Sequence, residues 1–449
     1  MAERDRWLVW DYTAALRWLL ALPNWETALP DQAPRQDLAR PQALFRVLDL
    51  LPPPYPVAII AGTNGKGSTA VMLESILRQA GRRTGLYTQP HLHTYRERIQ
   101  VDRAPIAPEA FAAGAARVRE AIARLAQEAP ALGPVTTYEA TTALALWYFA
   151  ERAVEVGVLE VGLGGRLDAT NAVDAQVAVL TPIDLDHTRV LGDTPAAIAA
   201  EKAAVIKPGA IAISAPQRPD VAAVIAATAA ARGAALRWAG DGAARVEGMA
   251  IVTPRAEYRE LRLGLLGDHQ WLNAATAVAA AEALAERGVP VPSEAVAPGL
   301  ACARWPGRLE VLAPGPPLVL ADGAHNPAGA AVLAAALERH FPGTRRLLVL
   351  GVSADKDIEG IVAALAPVVD RLYATEARQP RALARARIYQ VARARGVRAQ
   401  SIPTVDAAIR HAQRQRGPRD LVVVAGSLYV VAEARVALGR AETPDPPLA

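Results

Sequence analysis

The run Ile59-Ile60-Ala61-Gly62-Thr63-Asn64-Gly65-Lys66-Gly67-Ser68-Thr69 decides how this chain is read. Before it, Val57 to Ala61 is apolar and branched, following the proline-rich segment Pro52 to Pro56, and reads as a buried strand. After it, Ser68 to Leu77 sets Val71, Leu73, Ile76 and Leu77 near helical spacing. Strand, glycine loop and helix start together form a geometry that grips a phosphate. Glycines let backbone N–H groups converge on the anion, the helix N-terminus adds partial positive charge, and Lys66 supplies a full one. Ser68 is the natural hydroxyl ligand for Mg2+. The loop departs from the standard nucleotide pattern, because Ala61 replaces a first glycine and Gly67 separates Lys66 from Ser68. An ordinary glycine turn has no need of Gly-Lys-Gly-Ser at a helix start, so Gly62 to Ser68 is read as the phosphate loop.

At 449 residues the chain calls for two or three domains. Its 52% hydrophobic and 21% charged content fits a folded protein with ample core. Cys302 is the single cysteine, so no internal disulfide forms. The start, Met1 to Trp7, carries acids and lacks an apolar core, and no run of about twenty strongly apolar residues appears. The expectation is a cytoplasmic protein without a signal peptide or membrane span. A net charge of +4 raises nucleic acid as a partner. The arginines are scattered among acids, however, and the closest cluster, Arg378 to Arg395, reads as a solvated helix face. One bias is more telling: Lys66, Lys202, Lys207 and Lys356 are the only lysines. A lysine retained in an arginine-rich chain is a candidate for work needing a compact ammonium or a neutral amine.

Met1 to Leu51 reads as amphipathic helix with Trp7, Trp10, Leu16, Leu19 and Leu20, broken at Pro23, Pro30 and Pro34. From Val57 strands alternate with helices. Strands are expected at 57–61, 154–161, 177–181 and 211–214, and helices near 109–127, 138–152, 195–206 and 221–232. Trp238 to Leu265 reads as an antiparallel appendage. A second alternating block follows Trp305-Pro306-Gly307, with strands at 318–321, 346–350, 371–374 and 421–425. Its helices fall at 327–340, 358–369, 382–395 and 405–416. The fold class is therefore α/β: a P-loop-containing, mostly parallel sheet domain over residues 1–306, then a smaller Rossmann-like domain over 307–449. The tail from Glu442 to Ala449 reads as loose.

The second strong signal is Glu160-Val161-Gly162-Leu163-Gly164-Gly165-Arg166-Leu167-Asp168-Ala169-Thr170-Asn171. An acid at the end of an apolar strand needs a partner, and a metal facing the nucleotide would serve. Thr181-Pro182-Ile183-Asp184-Leu185-Asp186-His187 closes the next strand, on the same carboxyl edge where open α/β sheets bind ligands. Arg308, in Pro306-Gly307-Arg308, can present its charge to phosphates from the hinge.

Gly-Thr-Asn-Gly-Lys-Gly-Ser resembles the Mur ligase superfamily, and the inserted Gly67 is similar to its folate branch, the folylpolyglutamate and dihydrofolate synthases. Gly-Leu-Gly-Gly-Arg-Leu-Asp-Ala-Thr-Asn and Asp322-Gly323-Ala324-His325-Asn326-Pro327 resemble further motifs of that branch. The resemblance runs in order from Ile59 to Ser427. It implies ATP, Mg2+ at two sites and K+ as an optional further ion. It places Ser68, Glu160 and His187 on the metal, with Lys202 converted to a carbamate that supports a second Mg2+. Asp168 would lie at the pterin pocket, Asn273 would reach the adenine nucleotide, and Asp322 and His325 would close over ATP. Lys356 and Ser427 would lie near the incoming amino acid. Thr88-Gln89-Pro90-His91-Leu92 resembles the mobile substrate loop, usually Ser-Ser-Pro-His-Leu, and Tyr138 replaces a phenylalanine.

The implied activity is an ATP-dependent ligase adding L-glutamate to dihydropteroate or to the glutamate tail of reduced folates through an acyl phosphate. Lys66, Lys202 and His187 would be its catalytic residues. The expected partners are small molecules only, with neither nucleic acid nor membrane, acting on a monomer. Two rivals stand beside this reading: a Mur-type ligase for another carboxylate, and a nucleotide-binding module without ligase activity. Lys207 has no assigned role.

Overall fold

The strand before the glycines lies at the middle of an eight-stranded sheet in the computed structural model, which describes residues 10–24, 37–415, 417, 419–441 and 445. Trp7, Pro30, Pro34 and the tail, Asp445 apart, lie outside the described residues. The strands are β1 (Val57–Ala61), β2 (Thr84–Tyr87), β3 (Ile99–Val101), β4 (Ala104–Pro105), β5 (Val156–Glu160), β6 (Val177–Leu180), β7 (Ile211–Ser214) and β8 (Ala235–Trp238). Their order is β4-β3-β2-β5-β1-β6-β7-β8, with all pairs parallel except the β2-β3-β4 edge.

Burial on both faces explains the continuous apolar runs in the sequence. Val57, Ile59 and Ala61 join a core with helices Pro108–Glu128 and Thr137–Glu151, whereas Ala58 and Ile60 face helices Lys66–Gln79 and His269–Glu286. Three strands, β9 (Arg245–Glu247), β10 (Ala250–Val252) and β11 (Glu257–Tyr258), make the antiparallel appendage. Trp238, placed in that appendage by the sequence reading, instead ends β8 of the main sheet.

The second sheet contains β12 (Glu310–Ala313), β13 (Leu318–Ala321), β14 (Arg345–Leu350), β15 (Arg371–Ala374), β16 (Ala399–Ser401) and β17 (Asp420–Ala425). Its order is β12-β13-β17-β14-β15-β16, antiparallel only at β12. It has its own apolar layers on both faces. The two sheets define two lobes, joined through Trp305-Pro306-Gly307, where Gly307 and Leu309 have φ of 74° and 42°.

Several expected spans change. The N-terminal helical stretch resolves into Tyr12–Leu20 and Ala39–Val47. The helix expected to reach Ile206 stops at Ala203, and the one expected to reach Val369 ends at Leu365, before a short 3-10 turn containing Pro367. The last helical stretches shorten to Arg385–Ala394 and Val405–Gln413. β2, β3, β4, β8, β12 and β16 had no apolar run long enough to announce them. Among the described residues no helix is long and apolar enough to cross a membrane. The loops after β1, β5 and β6 emerge at one sheet edge, and the site is built there.

Candidate active site

The glycine loop after β1 is set by two glycines in conformations that side chains disfavour: Gly62 at φ 149° and Gly65 at φ 87°. Helix Lys66–Gln79 starts directly after Gly65. Lys66 Nζ donates to the carbonyls of Gly62 at 3.1 Å and Thr63 at 3.2 Å, so the ammonium lies inside the loop. The neighbouring loop braces it: the N–H groups of Thr63 and Asn64 donate to Pro182 O, and the Thr63 hydroxyl donates to Asp184 O. Asn273 lies against Gly65, where an added Cβ would come within 2.6 Å of Asn273 Oδ1. Its amide donates to Gln270 at 2.9 Å.

Glu160 ends β5 beside this loop and is 4% exposed. Among the described residues its carboxylate accepts one hydrogen bond, from Gln89 N at 3.3 Å. Burial pushes it up to about 7, although the Lys66 charge pulls the other way. A buried carboxyl group with so few donors has oxygen lone pairs left to offer a cation. Ser68, also buried, supplies a hydroxyl from the first turn of the adjacent helix. Among the described residues no three His, Cys, Asp or Glu side chains form a metal cage by themselves.

Gln89, Tyr138 and Asp168 form one network. Gln89 Nε2 donates to Tyr138 Oη at 2.7 Å, and Tyr138 donates to Asp168 Oδ1 at 3.0 Å. Asp168 also accepts from the backbone N–H groups of Gly162, Leu163 and Thr170 and from the Thr170 hydroxyl. Its carboxylate thus shapes the glycine turn as well as facing Tyr138, which stacks on Tyr87 with centroids 6.3 Å apart. Pro90 lines the same cleft as Gly67, Glu160 and Arg308. His91 is held from within its own loop: Arg98 Nε donates to its Nδ1 at 3.0 Å. Burial, with Arg98 beside it, lowers it to about 3.

Lys202, on helix Pro195–Ala203, is 6% exposed, and among the described residues its ammonium donates no hydrogen bond to the protein. Burial, with Lys66 nearby, lowers it to about 7. His187 starts the short helix Thr188–Leu191 at φ 51°. Its side chain is 44% exposed, so desolvation is partial; together with the Lys356, Lys66 and Lys202 charges around it, this lowers its pKa against the pull of Asp186.

Asp186 is the residue the sequence reading passed over. Lys356 Nζ of the second lobe donates to its Oδ1 at 2.9 Å, and Asn326 Nδ2 reaches its Oδ2 at 3.4 Å. His325 Nε2 stands 3.7 Å from the same oxygen. Asn326 also donates to Asn64 Oδ1 in the phosphate loop at 3.2 Å. The three hydrogen bonds join segments 140 to 262 residues apart. Only the adjacency of Asp186 to His187 could have drawn attention to it.

The remaining expected site residues have local partners. Asp322 accepts from Leu309 N at 2.9 Å and Ala324 N at 2.8 Å, fixing the chain just past the hinge. Arg308 Nη1 donates to Gly307 O at 3.0 Å, and its side chain lines the cleft. Ser427 caps helix Leu428–Ala437 by accepting from Val430 N. Lys207 gains a reason: its ammonium donates to Asn171 O at 2.6 Å, tying down the turn after Asp168.

Comparison with known proteins gives a consistent answer. Residues 307–428 match the family model for the Mur ligase glutamate ligase domain. A dihydrofolate synthase/folylpolyglutamate synthase of Escherichia coli K12 is 35% identical, over 92% of this chain and 93% of that one. A probable bifunctional folylpolyglutamate synthase/dihydropteroate synthase of Haloferax volcanii is 39% identical over 86% of this chain, which spans only 46% of that relative's length. The solved structure of E. coli FolC in complex with DHPP and ADP superposes with TM-score 0.84 at 34% identity, covering 96% of this chain and 98% of that one.

Proposed function

Since the chain belongs to the folylpolyglutamate synthase/dihydrofolate synthase family of the Mur ligases, we propose that it uses ATP to join L-glutamate to dihydropteroate or to the glutamate tail of a reduced folate. One observation carries this reading: the buried Glu160 carboxyl lies within electrostatic reach of the Lys66 ammonium, which is folded into a glycine loop at a helix N-terminus.

The difficulty of the reaction is charge. A carboxylate is a poor acyl donor until its oxygen takes a phosphoryl group, and that step brings two anions together. Lys66 offsets the repulsion: at about 4 Å and an effective dielectric near 20, one opposite charge contributes roughly 4 kcal/mol. Ser68 and Glu160, with His187, would hold a Mg2+ ion that neutralises phosphate charge. Asn273 is positioned to meet the nucleotide where it abuts Gly65. The glutamate amine then attacks the acyl phosphate, forming the amide and expelling phosphate.

Lys202 carries the second part. An amine lowered to about 7 is partly neutral near neutral pH, and a neutral amine adds CO2 to become a carbamate, which arginine cannot do. Gln89, Tyr138 and Asp168 would bound the pterin side of the acceptor. Lys356, His325 and Asn326 close the second lobe over the first through Asp186, keeping water from the acyl phosphate. We place the domain division at 306/307 and take the enzyme to be a cytoplasmic monomer with small-molecule partners only.

The test is phosphate release with L-glutamate and ATP, supplying dihydropteroate and tetrahydrofolate in separate reactions. Release with the first identifies dihydrofolate synthase activity, and release with the second identifies tail extension. Release with neither rejects the proposal.

A further inference from the structure

Gly67, the inserted glycine, lies inside helix Lys66–Gln79 and does not share the left-handed backbone of Gly62 and Gly65. Its φ makes no demand for glycine, and alanine would be the better helix former there. The demand is spatial. All three atoms nearest to an added Cβ belong to the Trp305 indole: Nε1 at 2.7 Å, Cε2 at 2.9 Å and Cζ2 at 3.0 Å. Trp305 is the first residue of the hinge segment Trp305-Pro306-Gly307. A hinge side chain therefore sits directly on the turn that presents Lys66 and Ser68.

The indole is held there by Arg103, at the tip of the β3–β4 hairpin. Arg103 Nη2 donates to Arg304 O at 2.8 Å, and its guanidinium stands 5.9 Å from the Trp305 ring centroid, within cation–π range. Its Nε lies 3.9 Å from Glu74 Oε2, two turns along the phosphate-loop helix. The side chains of Glu74, Arg103 and Trp305 thus connect that helix to the hinge and back to its first turn. Gly67, Arg103, Trp305 and Arg308 also line one cleft with Glu160.

We propose that Trp305 is a positioning residue: its indole, seated on Gly67 and held by Arg103, registers the interlobe hinge against the phosphate loop. The loop and the hinge then adopt their working positions together. Nucleotide bound at the loop then reports on the lobe junction through the Gly67–Trp305 contact. The inference rests on the phosphate-loop reading, and its test uses ADP binding, which requires no acceptor.

The experiment is a double-mutant cycle on the full chain with Gly67→Ala and Trp305→Leu, measuring ADP affinity by calorimetry and the folded state by melting. Leucine keeps an apolar group at 305 and vacates the indole's space. Gly67→Ala alone is expected to weaken ADP on the order of 100-fold, because a displaced first turn no longer aims its N–H groups at the phosphates and charge-assisted hydrogen bonds are the strong ones. In the Trp305→Leu background the same alanine is expected to change affinity by less than about 3-fold, so the two losses fail to add. Equal losses from Gly67→Ala in both backgrounds overturn the proposal, since the glycine would then serve the phosphates alone. An unweakened Gly67→Ala protein overturns it as well. Arg103→Met, which leaves the loop untouched, is expected to weaken ADP only when Trp305 is present; a loss of the same size in Trp305→Leu contradicts the linkage. Absence of ADP binding in the unaltered protein would instead reject the phosphate-loop reading.

Discussion

In the first lobe, two motif side chains, Glu160 and Lys202, are buried with few protein partners among the described residues, whereas Asp168 beside them is fully bonded. Glu160 accepts one long hydrogen bond, and Lys202 lies 6% exposed beside Lys66. In the second lobe the motif side chains are satisfied by the chain itself. Asp322 accepts two backbone N–H groups, Ser427 caps a helix, and Lys356 pairs with Asp186. Burying an uncompensated ion costs several kcal/mol, and a fold retains one where a ligand will compensate it. The contrast is between Glu160 and Lys202, buried charges that the protein leaves uncompensated, and Asp322, Ser427 and Lys356, whose partners are already in place.

The sharpest way to break this division is Lys66→Ala. Loss of one well-placed charge of about 4 kcal/mol should slow amide formation about 1000-fold, read as kcat/KM for ATP. A comparable loss from Asp322→Asn would erase the distinction between lobes.

The next effect appears in stability. Glu160 ionises at about 7 in the folded protein against 4.5 ordinarily, so the folded state holds this proton more tightly than the unfolded one. Stability should therefore fall as pH rises from 4.5 to 7 and stay reduced above it. Glu160→Gln removes that deficit. In the absence of divalent ions it should match the parent at pH 4 and exceed it by about 3 kcal/mol at pH 8, measured by denaturant unfolding. A variant that is less stable at pH 8 would mean that the carboxylate already has its partner within the chain.

Smaller again is the cover. Lys356→Met breaks the interlobe pair and should lower kcat about 30-fold, roughly 2 kcal/mol, with little change in KM for ATP. Adding Asp186→Asn to it should cost little more, because both changes remove one interaction. Independent losses would place the two residues in separate tasks. The smallest effect is expected from Ser427→Ala, about 1 kcal/mol of stability from a lost helix cap with activity retained. A large loss of activity there would give Ser427 a substrate contact beyond its cap.

What could be read from the sequence was local. A branched strand, three glycines and a lysine at a helix start specify a strand, a tight turn and a helix within a dozen residues, and all three form. The acid of Glu160 was conspicuous at the end of an apolar run. Lys202 stood out through the scarcity of lysine, and its burial fits that signal. The contacts that join the lobes have no such local trace. Lys356 and Asp186 are 170 residues apart, and Asn64 and Asn326 are 262 apart. The role of Gly67 was visible only as a departure from a familiar spacing, because the indole that occupies its missing side chain comes from the hinge. The β2–β4 edge was missed because Thr84-Gly85-Leu86-Tyr87 is short and contains a glycine. That glycine makes room for Phe149, whose ring would lie 2.7 Å from a Cβ.

The most direct measurement labels the acceptor's carboxylate with oxygen-18 and follows the label through one turnover with ATP and L-glutamate. If the loop drives phosphoryl transfer onto that carboxylate, the released phosphate carries one labelled oxygen and the amide retains the other. Unlabelled phosphate released alongside amide would contradict the account.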